Sequence, residues 1–372
     1  MDLELTDATA RAPRHPRCPR AGRRRRAALA AVLAAGMAAS APAPAGPPAS
    51  GSVLVGIAHR VDAEWAIVDL RSGATRLLPR SRANPHQGGW DQWWASAPAA
   101  HTLLRVNSLG DVDFLDRDSL RPLGGFSLAS IPGTRRPQFF GDVKLSPDGR
   151  YVLTYWKRDV RQEDPELVIL DRQGRVVESG SPLDYAPLPL LGAFDWLPDG
   201  RYLYLAGPRI AVRQIGNPKY LVAPLHLPPG VDVNHASVAV SPDGRRLALA
   251  LAHDLVNGQR VRVGYNLLFL SALDGTGLHQ VTQPSAVMLD HGISMGHTDP
   301  VWSPDGRWIA FTPRQAQAYG AAHYGNPCVT VLALPVDTGL ATIDGLRDPP
   351  SLQLQAGGAP VVSCSTVQWV AP

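Results

Sequence analysis

Lysine is scarce in this 372-residue chain: only Lys144, Lys157 and Lys219 occur. Charge of one sign is also missing once the first 50 residues are set aside. Residues 51–372 hold 28 basic and 29 acidic side chains, so the overall pI of 9.1 is no argument for nucleic-acid binding. No long apolar run is present. The longest, residues 27–41, has fifteen residues and stops against Pro42 and Pro44, short of the roughly 20 that a membrane helix needs. No long amphipathic helical pattern is visible either, which points away from helical folds. Cysteine is limited to Cys18, Cys328 and Cys364.

What the chain has instead is repetition. DPVWSPDGRWIAFT from Asp299 recurs as DVKLSPDGRYVLTYW from Asp142, FDWLPDGRYLYLAG from Phe194 and VAVSPDGRRLALAL from Val238. Each copy is an apolar run, a Pro-Asp-Gly turn and a second apolar run. Proline presets the first corner and glycine takes the left-handed position, so each copy reads as a tight antiparallel hairpin. The turn prolines Pro147, Pro198, Pro242 and Pro304 are 51, 44 and 62 residues apart, the spacing of propeller blades carrying loop insertions. Two worn copies extend the series, at 94–98 and at 367–372. The last has no partner strand after it, and residues 52–57 have none before them. The expected fold is therefore an all-β, six-bladed propeller closed by pairing the C-terminal strand with the N-terminal blade, with seven blades as the alternative. Blades of four strands are expected, blade six running from 299 to 354.

The set of SPDGR and LPDGR turns resembles that of the TolB-like β-propellers, also seen in the propeller domains of prolyl-oligopeptidase-type enzymes. The resemblance covers residues 51–372. TolB carries an α/β domain before its propeller and the peptidases carry a hydrolase domain, for which this sequence leaves no room.

Residues 1–50 read as a separate unit from the propeller of residues 51–372. Eight arginines, four of them at 23–26, precede the apolar run, and small residues follow at 39–45. These are the parts of an export signal, which implies a periplasmic or secreted protein by a route left open. No membrane span is expected in the mature chain. After processing, Cys328 and Cys364 remain, and both fall on one face of the ring, so a disulfide across the seam is expected beside the alternative of two unrelated thiols.

Loop length is one-sided. The connections at 81–89, 128–138, 282–298 and 357–365 lead into first strands, and those at 157–165, 253–264 and 313–327 into third strands. In a propeller both classes share one face, and loops elaborated on one face of a rigid scaffold usually bind something there. His235 and His297 each stand seven positions before a turn proline, and Asp142 and Asp299 each stand five before one, which places all four near the central channel. His86, Trp90 and Trp93 sit on or beside a long-loop segment. Imidazoles and carboxylates converging at a channel mouth suit a ligand carboxylate or a metal, and rim tryptophans can stack on a sugar or anchor a partner. The bland alternatives are solvated rim residues and inter-blade packing. HGISMGH at 291–297 is not a zinc signature, and its G-x-S-x-G lies in a loop rather than at a strand–turn–helix elbow, so it reads as coincidence.

The function expected is a binding or scaffolding module without catalysis of its own. It would be monomeric, without a cofactor, and engage a protein partner or a carbohydrate or small ligand but no nucleic acid. Two alternatives stand beside it. One is a metal-assisted polysaccharide lyase resembling oligogalacturonate lyase, with His235, His297 and Asp299 as the metal candidates. The other is a propeller that docks a separately encoded hydrolase.

Overall fold

The computed structural model describes residues 51–370 except 59–62, 80–91, 108–109, 136–137, 160, 162–165, 181–192, 218–219, 257–261, 291–294, 316–327, 345–347 and 365–366. The expected leader, residues 1–50, lies outside the described residues. The described chain belongs to one compact unit, Gly46–Pro372.

The repeated turn is built as its residues dictate. In blade three the Ser146 hydroxyl donates to Asp148 Oδ1 at 2.6 Å and accepts the Tyr151 N–H at 2.9 Å, while Gly149 N–H donates to the Ser146 carbonyl. Ser241 and Asp243 repeat this in blade five, and Ser303 and Asp305 in blade six. Blade four has Leu197 in place of the serine, and there Asp199 is held by Arg201 instead. The turn glycines Gly149, Gly200, Gly244 and Gly306 all have φ between 67° and 85°, a region closed to most side chains.

These hairpins build a six-bladed β-propeller. Blades two to four are regular four-stranded antiparallel sheets. Blade two is Gln92–Ala97, Thr102–Asn107, Asp111–Asp116 and Pro122–Ser127. Blade three is Gln138–Leu145, Tyr151–Lys157, Glu166–Asp171 and Val176–Gly180, and blade four is Phe194–Trp196, Tyr202–Leu205, Arg209–Arg213 and Tyr220–Pro224. Second strands are mostly apolar because neighbouring blades cover both faces; Thr102–Asn107 is buried at every position, its Arg105 included. In blade one Val367–Val370 is the innermost strand, before Ser52–Ala58, Ala63–Asp69 and Thr75–Leu77. Its register sets Val53 opposite Trp369, so the ring closes through its C-terminal strand.

Blades five and six depart from the regular plan. Blade five is Val231–Val240, Arg246–Val256, Arg262–Ala272 and the short His279–Gln280. Its third strand pairs in parallel with Met295–Trp302, the first strand of blade six, through Tyr265 and Met295. Blade six continues with Trp308–Gln315 and Leu332–Pro335. The simple four-strand plan expected for blade six is corrected here. Ala341–Ile343 leaves the blade to pair in parallel with Thr282–Pro284, and the outer edge is taken by Gln353 and Leu354, bonded to Leu332 and Val331.

From there the chain forms a clasp onto blade one. Gln355–Ala356 and Ala359–Pro360 make a hairpin around Gly357 and Gly358, and the Gly357 N–H donates to the Leu70 carbonyl. A Cβ on Gly357 would lie 2.7 Å from the Ser72 carbonyl oxygen, so the tip fits only without a side chain. Val362–Ser363 then pairs with Val329–Thr330, and the Cys364 N–H donates to the Gly56 carbonyl. The sulfurs of Cys328 and Cys364 are bonded. Leu354, Ala356 and Val361 thus join Val53, Val55, Val331 and Trp369 in one apolar core between blades six and one.

Candidate functional site

Three innermost strands break register on the long-loop side of their turns and then resume pairing. The shift falls between Phe139 and Val143 in blade three, Asp232 and Ser237 in blade five, and Thr298 and Val301 in blade six. Extra residues in one strand of an antiparallel pair make a bulge, a device concentrated at barrel rims and beside active sites. Asp142, His235 and Asp299 are bulge residues of these three blades. His297 lies one step beyond, paired with Pro313. Both histidines therefore sit inside their strands rather than at the starts, because pairing resumes past the bulge and lengthens the strand. Asp299 has φ +44°, a left-handed conformation costly for a residue with a side chain, and it is half-buried.

Blade five reaches furthest toward this face. The segment 253–264, expected as a loop, is largely strand, since both arms of the hairpin run eleven residues. In the sequence, the alternating DLV and RVRV on either side of Asn257-Gly258 are a hairpin signal. Val231, His253, Tyr265 and Met295 form a row across four strands. Among the described residues, His253 Nδ1 and the Tyr265 hydroxyl are buried without a hydrogen-bond partner. Burial holds His253 below the usual histidine range, partly offset by Asp254, and raises Tyr265. His253 is therefore a neutral imidazole at pH 7, a state that can accept or donate one hydrogen bond at this face.

The remaining residues read from sequence are dispersed. His86 and Trp90 lie outside the described residues, as do His291 and most of the G-x-S-x-G stretch. Trp93 is on Gln92–Ala97, opposite Val106. Trp94, beside it, is a packing residue: it is buried, 6.1 Å from Trp65, with the Arg105 guanidinium over its ring. Among the described residues, no three His, Cys, Asp or Glu side chains gather closely enough to hold a metal ion. No described helix is long and apolar enough to cross a membrane.

No protein-family model matches the chain, and no curated protein does. Solved structures do resemble it. An oligogalacturonate lyase in complex with manganese aligns over 87% of this chain and 86% of its own, at 12% identity and a TM-score of 0.47. An oligogalacturonate lyase from Vibrio parahaemolyticus aligns over 84% and 85%, at 11% identity and a TM-score of 0.44. A protein of unknown function from Bacteroides caccae aligns over 86% and 98%, at 14% identity and a TM-score of 0.43. All three are likenesses of fold alone.

Proposed function

We propose that this chain is an exported, non-catalytic binding propeller that engages a protein partner or a small ligand on its long-loop face. The observation that carries the reading is the recurrence of bulges in the inner strands. Three of the six inner strands carry a bulge and pair again beyond it, and Asp142, His235 and Asp299 are among the bulge residues. A bulge interrupts the ladder without improving the core, so its recurrence fits a binding surface. The arginine-rich leader and the mature chain's two cysteines support export.

The test compares the two faces. Immobilised mature protein is exposed to cell-envelope extract, and its metal content is measured in parallel. His235→Ala/His297→Ala is expected to lose the retained partner, and any bound metal, while stability shifts by about 0.5 kcal/mol or less. Arg150→Glu/Arg201→Glu, on the opposite turn face, is expected to keep binding. Loss of binding in the arginine variant alone, with the histidine variant unchanged, would place the working surface on the other side.

A further inference from the structure

Blade four leaves its outer edge open. The outermost strands of the other blades are short, broken or covered, the usual treatment of a sheet edge that faces solvent. Blade one ends in the three-residue Thr75–Leu77, whose Arg76 guanidinium reaches the carbonyls of Arg117 and Asp118 in blade two. In blade two, Pro122–Ser127 carries two glycines and a register shift at Phe114. In blade three, Val176–Gly180 carries a shift at Leu170 and the charged Glu178. Blade five ends in the two-residue His279–Gln280, and the edge of blade six is taken by Gln353 and Leu354. Tyr220–Pro224 is different: five uncharged residues, YLVAP, in unbroken register with Arg209–Arg213. Its proline closes only the far end, where Gly275 packs so tightly that a Cβ would lie 2.2 Å from the Pro224 carbonyl oxygen.

The register says which backbone groups are free. The Leu225 N–H donates to the Pro208 carbonyl, so Ala223 with Ile210 and Leu221 with Val212 are the hydrogen-bonded pairs of this ladder. Tyr220 and Val222 alternate with them and turn their N–H and C=O groups away from blade four. Among the described residues, no turn or loop backbone bonds to either. The side chains are open as well: Leu221 is 67% and Val222 48% exposed. Leu221 stands at a groove of about 370 Å³ between blades four and five, with Ile210, Val212 and Leu273 also in its lining. The polar groups of that groove are balanced in charge: Arg201 is bonded to Asp199, Asp274 to Thr276, and Arg245 offsets Asp274. The opposite face of the hairpin is basic. Arg209 and Arg213 pair across from Pro224 and Tyr220 and share the face of Val222. Arg213 is paired with Glu178, whereas Arg209 is exposed and has no carboxylate partner among the described residues. Residues 209–224 contain these two arginines and Lys219 but no acidic residue.

We propose that this edge is a docking site for an extended peptide, with apolar and acidic side chains in alternation, that joins blade four as a fifth strand. Its backbone bonds to Tyr220 and Val222, its apolar side chains lie beside Leu221 over the groove, and its acidic side chains fall on the face of Arg209. A second copy of this chain presenting the same edge would set the two basic hairpins against each other, which disfavours a dimer here. The site uses the outermost strand of one blade and none of the inner-strand residues of the long-loop face.

The experiment titrates a fluorescein-labelled nonapeptide of alternating glutamate and valine with the mature protein. Fluorescence anisotropy reports binding, and hydrogen exchange of the Val222 amide reports the added ladder. A lysine–valine nonapeptide is the control for charge. Val222→Pro removes the outward N–H, a change that an edge strand tolerates because that group takes no part in the ladder with Arg209–Arg213. Leu221→Glu, at an exposed position, keeps the test readable should the proline variant fail to fold. The glutamate–valine peptide is expected to bind and to slow exchange at Val222. The lysine peptide and each variant should weaken binding about tenfold or more, the scale of a lost hydrogen bond or charge contact. The proposal is overturned if the glutamate–valine peptide does not bind, if the lysine peptide binds as well, or if either folded variant binds as the wild type does. It is also overturned if the protein sediments as a dimer that Leu221→Glu dissociates, since the occupant would then be a second copy.

Discussion

Blades two to four and the seam from blade five through blade one solve the same problem differently. In the regular blades each sheet is complete in itself, and neighbours meet through side chains such as Leu104, Val143 and Trp156 in a shared apolar core. At the seam, backbone crosses between blades. Tyr265 pairs with Met295, Thr282 with Ala341, Gly357 with Leu70, and the C-terminal strand with Ser52–Ala58. Side-chain packing suffices where the chain is continuous. Where the two ends of the chain meet, hydrogen bonds, a clasp and a disulfide supplement it, because an open seam would expose two strand edges to solvent and to other chains.

The largest effect is expected from undoing that closure. Deleting residues 366–372 removes Trp369 and Val367 from the seam core and strips blade one of its inner strand. Loss of the cooperative thermal transition, or aggregation, is the expected outcome; a truncated protein that melts like the intact one would show that the clasp alone holds the ring. The disulfide comes next. Cys328→Ser/Cys364→Ser opens a cross-link spanning a sequence separation of 36 and is expected to cost about 3–4 kcal/mol in denaturant unfolding. Non-reducing peptide mapping of the purified protein should find the pair bonded, and two free thiols there would count against the bond.

How much of this was legible in the sequence follows the same division. The PDG turns announce themselves because proline, aspartate and glycine each do one local job, so the regular blades and the closing strand could be read directly. The clasp could not. Residues 349–364 contain Pro349, Pro350, Gly357, Gly358 and Pro360, a composition that reads as loop, and its strands are only two residues long, the last made by pairing with the distant Val329–Thr330. At the long-loop face the repeat register put Asp142, His235 and Asp299 near the central channel, but a bulge has no local signature and only the pairing reveals it.

Within the regular blades, two turn glycines separate the local from the packing contribution. Gly149 and Gly200 hold the same turn position, with φ +69° and +85°. A Cβ on Gly149 would lie 2.8 Å from Ala100 Cβ of blade two and 3.1 Å from Arg172 Nη2, whereas one on Gly200 would meet nothing within 4 Å among the described residues. Gly200→Ala is therefore expected to cost the backbone term alone, about 1–2 kcal/mol. Gly149→Ala should cost more than that, and Gly149→Val more again, since the turn itself is wedged against its neighbour. Equal losses for the two alanine variants in urea unfolding would mean that the blade interface yields, and that the regular blades are less tightly packed than their cores imply.

The smallest effect expected is on acid stability, and it too sits in the turns. The Ser241 hydroxyl bonded to Asp243 holds that carboxyl below the usual aspartate range, and the Arg201 side chain does the same for Asp199. A carboxylate with a depressed folded-state pKa stabilises the fold fully above its unfolded value, about 3.9, and loses that contribution as pH falls through the folded value. Both groups are largely open to solvent, so screening keeps each contribution small. The melting temperature should be flat above about pH 5 and decline below about pH 4. Asp243→Asn and Asp199→Asn each remove one such carboxylate and should make that decline shallower while lowering stability at neutral pH. If both variants fall with the wild-type slope, the acid limb belongs to the carboxylates of the seam or the loop face rather than to the turns.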